Sequence, residues 1–266
     1  MSPCLALLAV SLATAPASRT ELIAAKLRMQ FGASFALCDQ DEAIFAFQTG
    51  VDDARQSYVL EQARWFAGHF AAMVDSRASL MHGLAVVILA SEREYREAFG
   101  VPGMVAHYDE LARTLITYQM SGAGTLFHEL AHHFIRVVYG PEVPLWFNEG
   151  LASYFERRIE GRFGATNWRL PVLQRAERER RFIPLVALVG GERTGGPTFL
   201  AEARHLFVYL GERGVLERFL IAGKDRGVAD GASLLSEVTG MSIAALEGEL
   251  RSRVKSWRPD TLVVSP

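Results

Sequence analysis

"SGAGTLFHELAHHF" (residues 121–134) places His128 and His132 four residues apart, with Glu129 directly after the first histidine. Residues four apart on an α-helix share one face, so both imidazoles can point at one ion. Glu129 lies one step further round the helix, where its carboxylate can reach a water on that ion without being a ligand. The pattern predicts a metal-binding helix over residues 124–139. The alternative is a core helix with incidental histidines.

A second segment, "PLWFNEGLASYFE" (residues 144–156), contains a candidate third ligand. Glu149 follows His132 by 17 residues and falls on a separate predicted helix. Two antiparallel helices joined by a short turn can bring this carboxylate to the two imidazoles. Two histidines, one glutamate and an open fourth position are typical of a catalytic zinc site rather than a structural one.

The helix that carries Glu149 is expected to begin at Pro144, because the fixed φ of proline suits a first helical position. It is expected to extend to about Ile159. Small residues beside the glutamate, Gly150 and Ala152, predict that this helix approaches the first one closely.

"HELAHHF" followed by "WFNEGLASYFE" resembles the gluzincin metallopeptidases, above all the bacterial peptidase MA-like domains, and "NEGLASYFE" is also similar to the aminopeptidase N-like pattern. The resemblance spans about residues 84–160. It implies one Zn²⁺ held by His128, His132 and Glu149. It also implies hydrolysis of a peptide or protein substrate by a metal-activated water, with Glu129 as general base. The alternative is a zinc-binding domain of the same fold that no longer cleaves and serves as a peptide-binding or assembly module.

One departure from the aminopeptidase pattern concerns the substrate amine. Aminopeptidase N-like enzymes carry a G-x-M-E-N strand whose glutamate holds the free amine of the substrate. The comparable stretch here is "PGMVAHYD" (residues 102–109), which has no glutamate. The resemblance therefore favours an endopeptidase over an aminopeptidase.

A second departure concerns the group that stabilises the transition state. Peptidase MA-like domains often have a tyrosine at the start of a later helix, but the matching residue here is Phe199, which has no hydroxyl. Tyr209 and His205, further along that helix, are the candidate substitutes. The alternatives are that Tyr209 is a core residue and that His205 lies on the surface.

Two further residues are candidates for orienting the ligands. Ser153 lies one turn after Glu149 and could bond an imidazole N–H, although a small packing residue is equally consistent with the pattern. Glu156 occupies the last position of the resembling motif. His133 points about 100° away from His132 on the helix. We expect it to lie on the surface or against a ligand rather than to be a ligand.

Composition limits the class of protein. The chain has 266 residues, 50% of them hydrophobic, and a formal net charge of −2. This length can bury a large core, so we expect a single domain over residues 18–266, mixed α/β over about 18–120 and helical over about 121–266. The near-neutral charge argues against a nucleic-acid partner. Nothing in the sequence indicates an oligomeric state.

The N-terminal apolar run, residues 4–15, is too short to span a membrane as a helix. Small residues at 13–17 offer a cleavage position, which predicts a signal peptide over residues 1–17 and export to the periplasm or the exterior. The alternative is a buried N-terminal helix in a cytoplasmic protein, because no Lys or Arg precedes the run.

Strand patterns come early in the chain and helix patterns late, which indicates an α+β fold, zincin-like by resemblance, with a small mixed sheet and an edge strand over the site helix. Strands are predicted within residues 33–50, 84–90 and 104–121, the second of them buried on both faces. The N-caps predicted from the sequence are Asp52 or Asp53 and Ser91, and Gly100 is a predicted helix end. Further helices are predicted over residues 20–31, 52–74, 91–100, 197–214, 214–225 and 242–257.

Overall fold

The computed structural model describes residues 19–100, 104–159, 161–191 and 195–258; the predicted leader lies outside them. The first part of the chain forms α1 (Arg19–Phe31), β1 (Phe35–Gln40), β2 (Ala43–Gln48), α2 (Asp53–Met73), β3 (Ala85–Leu89), α3 (Glu92–Phe99), β4 (Ala106–Asp109) and β5 (Thr114–Tyr118). The second part forms α4 (Ala123–Tyr139), α5 (Leu145–Tyr154), β6 (Arg158–Ile159), β7 (Arg162–Phe163), α6 (Leu170–Arg178), α7 (Leu185–Val189), α8 (Pro197–Glu212), α9 (Leu216–Arg226), α10 (Gly231–Thr239) and α11 (Ile243–Ser256). No helix in these described ranges is long and apolar enough to cross a membrane.

The main sheet is small and mixed, with strand order β1-β2-β3-β5-β4. β2, β3 and β5 are parallel, whereas β1 and β4 pair antiparallel with their neighbours. All of β3 is buried, which confirms the prediction of a strand covered on both faces. β4 lies at one edge and contacts α4. The prediction of a mixed α+β fold with a helical C-terminal half is therefore confirmed.

The two faces of the sheet pack into different cores because side chains alternate along a strand. Phe45 and Phe47 of β2 belong to a large core that also contains side chains of α2 and α4. Val87 and Leu89 of β3 belong to a smaller core, completed by residues of α1 and α3. The large core fixes α4 beneath the sheet and close to its β4 edge.

Local caps set the ends of the first helices. The Asp52 carboxylate accepts from the Arg55 N–H at 2.7 Å and caps α2. The Ser91 hydroxyl accepts from the Glu94 N–H at 3.2 Å and caps α3, which ends at Gly100 with φ 63°. These predicted caps are confirmed.

α5 packs against α8, and Gly150 faces that helix. A Cβ on Gly150 would lie 2.7 Å from the Phe207 ring and 2.8 Å from the carbonyl oxygen of Ala203, so only a glycine fits at this position. The prediction that Gly150 lets α5 approach α4 is therefore wrong. The missing side chain is required by α8.

α5 ends at Tyr154, five residues before the predicted end at Ile159. The N–H groups of Phe155 and Glu156 bond back only three residues, and the chain then turns into the β6–β7 hairpin. The turn brings the backbone of Glu156 against α4, where a Cβ on Gly124 would overlap its carbonyl. This early end lets the Glu156 side chain reach the face of α4 that carries the histidines.

Five short elements have no counterpart among the helices and strands predicted above: β6, β7, α6, α7 and α10. The signals for two of them are present in the sequence. α6 has Pro171 in its first turn, and α10 is capped by Asp230, which accepts from the Ser233 N–H at 3.0 Å.

Candidate metal centre

α4 presents His128 and His132 on one face, as their spacing predicts. Their Nε2 atoms lie 3.1 Å apart, and the ring centroids are separated by 4.7 Å. Only 15% of the His128 side chain and 11% of the His132 side chain are exposed. The two rings therefore meet in a sheltered position that still opens to solvent.

α5 adds Glu149 to the pair. Its Oε2 lies 4.0 Å from His128 Nε2, and its Oε1 lies 3.9 Å from His132 Nε2. One ligand atom from each residue lies within 4.8 Å of the others, so the group could hold a metal ion. A tetrahedral ion with bonds of about 2.0–2.1 Å separates its ligand atoms by roughly 3.3 Å, so only a small rotation of the carboxylate closes the set.

A hydrogen-bond acceptor defines the tautomer of His132, and a carboxylate lies beside the same nitrogen of His128. Asn148 Oδ1 lies 3.0 Å from His132 Nδ1, and Glu156 Oε1 lies 3.2 Å from His128 Nδ1. The Asn148 oxygen requires a proton on His132 Nδ1, which leaves a lone pair on His132 Nε2. The Glu156 contact has an ion-pair distance without hydrogen-bond geometry, so it places a carboxylate beside His128 but does not fix the tautomer of that ring. The two Nε2 atoms lie 3.1 Å apart, a separation that an N–H···N hydrogen bond or a shared cation can satisfy. The residues of this centre therefore fit a divalent metal ion.

Glu129 lies next to this group on α4 and is 8% exposed. Burial raises the pKa of its carboxyl to about 7. The nearby charges of Glu149 and Glu156 act in the same direction, and His132 opposes them. A carboxyl with a pKa near neutrality can accept a proton and later give it back.

Glu156 is held in place by a loop that no sequence motif marked. Arg169 bonds both of its oxygens, Nη2 to Oε1 at 2.5 Å and Nε to Oε2 at 3.1 Å, and Asn167 Nδ2 donates to Oε2 at 2.9 Å. Burial raises the pKa of Glu156, but its contacts with His128 and Arg169 outweigh burial and lower that pKa to about 2. Glu156 therefore remains a carboxylate beside His128.

The other residues predicted near the ligands lie differently. Ser153 is fully buried, and its hydroxyl has no hydrogen-bond partner among the described residues, so the suggested bond to an imidazole is not formed. His133 is buried rather than on the surface, and its Nδ1 lies 2.8 Å from the Tyr108 hydroxyl. Burial lowers the pKa of His133 to about 4. His133 therefore fastens α4 to β4 and is not one of the converging ligand residues.

The two candidates for transition-state stabilisation on α8 are used elsewhere. The Tyr209 hydroxyl donates to Glu249 at 2.5 Å and accepts from Arg213 at 3.1 Å, so it is committed to α11 and to the end of its own helix. His205 is fully buried, which makes the surface alternative wrong.

The His205 ring packs against Trp257 with a centroid distance of 5.5 Å, and its Nδ1 lies 2.7 Å from the Ala201 carbonyl oxygen. Phe199 is also buried. Within the described part of the chain, α8 directs none of the side chains of Phe199, His205 and Tyr209 at the ligand group.

Comparison of the sequence with protein-family models gives no match, and comparison with curated proteins finds no similar chain. The interpretation of the centre therefore depends on its own residues. Two imidazole nitrogens and a carboxylate converge on one point, and a buried carboxyl group lies beside them. Such a group can hold a cation and exchange a proton next to it.

Proposed function

We propose that the protein is a zinc-dependent peptidase with a zincin-like fold, an endopeptidase rather than an aminopeptidase. The observation that carries the proposal is the pair of facing Nε2 atoms of His128 and His132, 3.1 Å apart, with a Glu149 oxygen within 4.0 Å of each. Glu149 completes a His₂Glu donor set, the composition that catalytic zinc sites use. The two imidazole ligands also suit zinc better than they suit magnesium or calcium, which prefer oxygen ligands.

In the proposed reaction, His128, His132 and Glu149 hold the ion. Zinc, when bound, acts as a Lewis acid that acidifies a water molecule and polarises the scissile carbonyl. Glu129 accepts a proton as the water oxygen bonds to the carbonyl carbon. It returns that proton to the amine nitrogen as the carbon–nitrogen bond breaks. Its position beside the ligands and its burial suit this exchange.

The proposed substrate is an extended peptide that pairs with the free edge of β4. β4 lies at the edge of the sheet and contacts α4, and the backbone of Tyr108 faces the Glu129 carboxylate. The hairpin is tied to α4 by the ion pair between Arg136 and Glu110, 2.7 Å long. A peptide along this edge would pass over Glu129. The absence of a glutamate from residues 102–109 disfavours recognition of a free amine.

A second candidate function is a zinc-binding module that recognises peptides without cleaving them. The observation in its favour is that Phe199 has no hydroxyl and that the Tyr209 hydroxyl is bonded to Glu249 and Arg213. A stabilising donor for the oxyanion contributes a few kcal/mol, so its loss would slow hydrolysis severely. Retention of Glu129 favours the peptidase, because a pure binding module needs no base.

Metal analysis combined with peptide digestion distinguishes these candidates. The purified protein should contain one zinc per chain and should cleave a proteome-derived peptide library, and a chelator should abolish the cleavage. One zinc per chain with an undigested library would identify the binding module. A protein with no stoichiometric metal after reconstitution would contradict both.

Export is part of the same proposal. The apolar segment at residues 4–15 and the small residues that follow it support a cleaved leader. Cell fractionation and N-terminal sequencing of the mature protein test this. Recovery of an intact Met1 N-terminus from the cytoplasm would contradict it.

A further inference from the structure

We propose that Arg169 and Asn167, on the loop between β7 and α6, are positioning residues that set the metal affinity of the centre through Glu156. The inference depends on the proposed metal centre. It extends that centre to a segment of the chain outside the two helices that supply the ligands.

Each oxygen of the Glu156 carboxylate contacts two partners. Oε1 lies between His128 Nδ1, at 3.2 Å, and Arg169 Nη2, at 2.5 Å. Oε2 accepts from Arg169 Nε at 3.1 Å and from Asn167 Nδ2 at 2.9 Å. A two-pronged guanidinium contact holds a carboxylate in one plane. Rotation of Oε1 away from His128 would therefore break the contacts with the loop.

The loop is itself anchored at several points. The side-chain oxygen of Asn167 accepts from the Arg169 N–H at 2.9 Å. The Ala165 carbonyl accepts from Arg204 Nη2 at 2.5 Å, and Arg204 is fully buried on α8. Arg169 also lies over the ring of Trp168, 4.3 Å from its centroid. These contacts fix Arg169 before any metal binds, so the loop can impose an orientation on Glu156.

Arg169 and Asn167 act, through Glu156, on only one of the two histidines. His132 is oriented by the neutral amide of Asn148, whereas His128 is oriented by the carboxylate of Glu156. A carboxylate acceptor makes an imidazole a stronger ligand, and loss of such a partner typically weakens metal binding by about 10–100-fold. Without Arg169, Glu156 would keep only the Asn167 hydrogen bond to this loop, and its carboxylate could turn away from His128. The loss of metal affinity would therefore come from a weaker bond between His128 and the ion.

The test is the zinc dissociation constant of the full-length protein, measured by competition with a chromophoric chelator. We expect Arg169→Gln to weaken zinc binding by about 10–100-fold, and Arg169→Lys, which keeps the charge but loses the two-pronged contact, to fall between. The matched control is Arg251→Gln, which breaks the part-buried ion pair between Arg251 and Glu177 (2.9 Å). This control should bind zinc as tightly as the wild type.

A second measurement separates positioning from loss of fold. The visible spectrum of the cobalt(II)-loaded protein should change in Arg169→Gln and stay the same in Arg251→Gln, while both metal-free variants keep the wild-type circular dichroism. If Arg169→Gln does not fold, Asn167→Ala removes one hydrogen bond to Glu156 and should still weaken zinc binding. Wild-type affinity in both loop variants would overturn the inference but leave the centre intact. Failure of the wild type to bind zinc would overturn both.

Discussion

Two regions of this protein collect polar side chains, and they do so in opposite ways. In the cleft between α4 and α5, one possible ligand atom from each of His128, His132 and Glu149 converges on a common point. On α8, His205 and Tyr209 are more deeply buried, yet each points at a neighbour of its own. The cleft keeps part of its surface open, whereas the α8 residues serve the packing of α11 and the C-terminal segment.

The difference shows that burial of a polar group does not by itself make a site. A metal site needs ligand atoms that are still available after the local hydrogen bonds have been made, together with access from solvent. In the cleft, Asn148 bonds one nitrogen of His132, Glu156 lies beside one nitrogen of His128, and the two remaining nitrogens face each other and Glu149. The side chains of His205 and Tyr209 on α8 direct no such ligand atoms at the cleft.

The largest expected effect concerns Glu129, the proposed base in the cleft. Glu129→Gln keeps the shape of the side chain but cannot accept a proton, so peptide hydrolysis should fall by about 10²–10⁴-fold. Zinc content should stay at one per chain because Glu129 is not among the converging ligands. Peptide digestion and metal analysis on the same sample measure both. Hydrolysis at the wild-type rate would show that Glu129 is not the base.

The next effect tests the contact between the two regions. Gly150→Ala places a methyl group against the Phe207 ring and the Ala203 carbonyl, so the free energy of unfolding should fall by about 1–3 kcal/mol. The control is Gly248→Ala on α11, where nothing lies within 4 Å of the added carbon. It should stabilise the protein by up to about 1 kcal/mol. Urea unfolding of the two metal-free variants measures both changes in the free energy of unfolding. Changes of the same sign would contradict the close contact between Gly150 and α8.

The pH dependence of stability tests the burial of α8. Burial, helped by Arg204, lowers the pKa of His205 from 6.5 to about 3. Between these values the unfolded chain binds a proton that the folded protein does not, so the free energy of unfolding falls as the pH drops. At pH 5 the cost is about 2 kcal/mol. His205→Asn cannot be protonated in this way, and its stability should fall less between pH 7 and pH 5. An identical pH dependence in urea unfolding of both metal-free proteins would refute this.

The smallest effect is expected for Tyr209→Phe. The hydroxyl is bonded to Glu249 and Arg213, so its loss should cost about 1 kcal/mol of stability. Zinc affinity and the rate of peptide hydrolysis should be unchanged. A tenfold loss of hydrolysis with normal zinc binding would show that Tyr209 takes part in the reaction. The cleft and α8 would then belong to the same active site.

The sequence could predict the cleft because its key distances are set by local geometry. The i, i+4 spacing fixes the relation between His128 and His132 wherever the helix lies. The position of Glu149 required one further assumption, that a short turn brings α5 back beside α4, and the turn residues between the helices support it. The sheet was predictable for a similar reason, because a run of apolar β-branched residues such as β3 fits a strand covered on both faces.

The remaining features depend on tertiary packing, which spacing alone does not encode. The orientation of Tyr209 and His205 depends on how α8 packs against α5 and α11. The sequence of α8 does not indicate which orientation results. The same holds for Asn167 and Arg169, since a loop without a motif gives no sign that it will reach Glu156. The early end of α5 was missed because the β6–β7 hairpin that replaces its last turn is too short to leave a pattern.

The edge of β4 has a consequence for the behaviour of the protein in solution. No strand of the described residues pairs with the outer edge of β4, and such an edge can accept a strand of another molecule, which is how many proteins begin to aggregate. Here the edge strand is only four residues long and ends in the acidic Asp109, both of which limit such pairing. A variant that extended β4 or removed that charge would therefore be expected to lose solubility before it lost its fold.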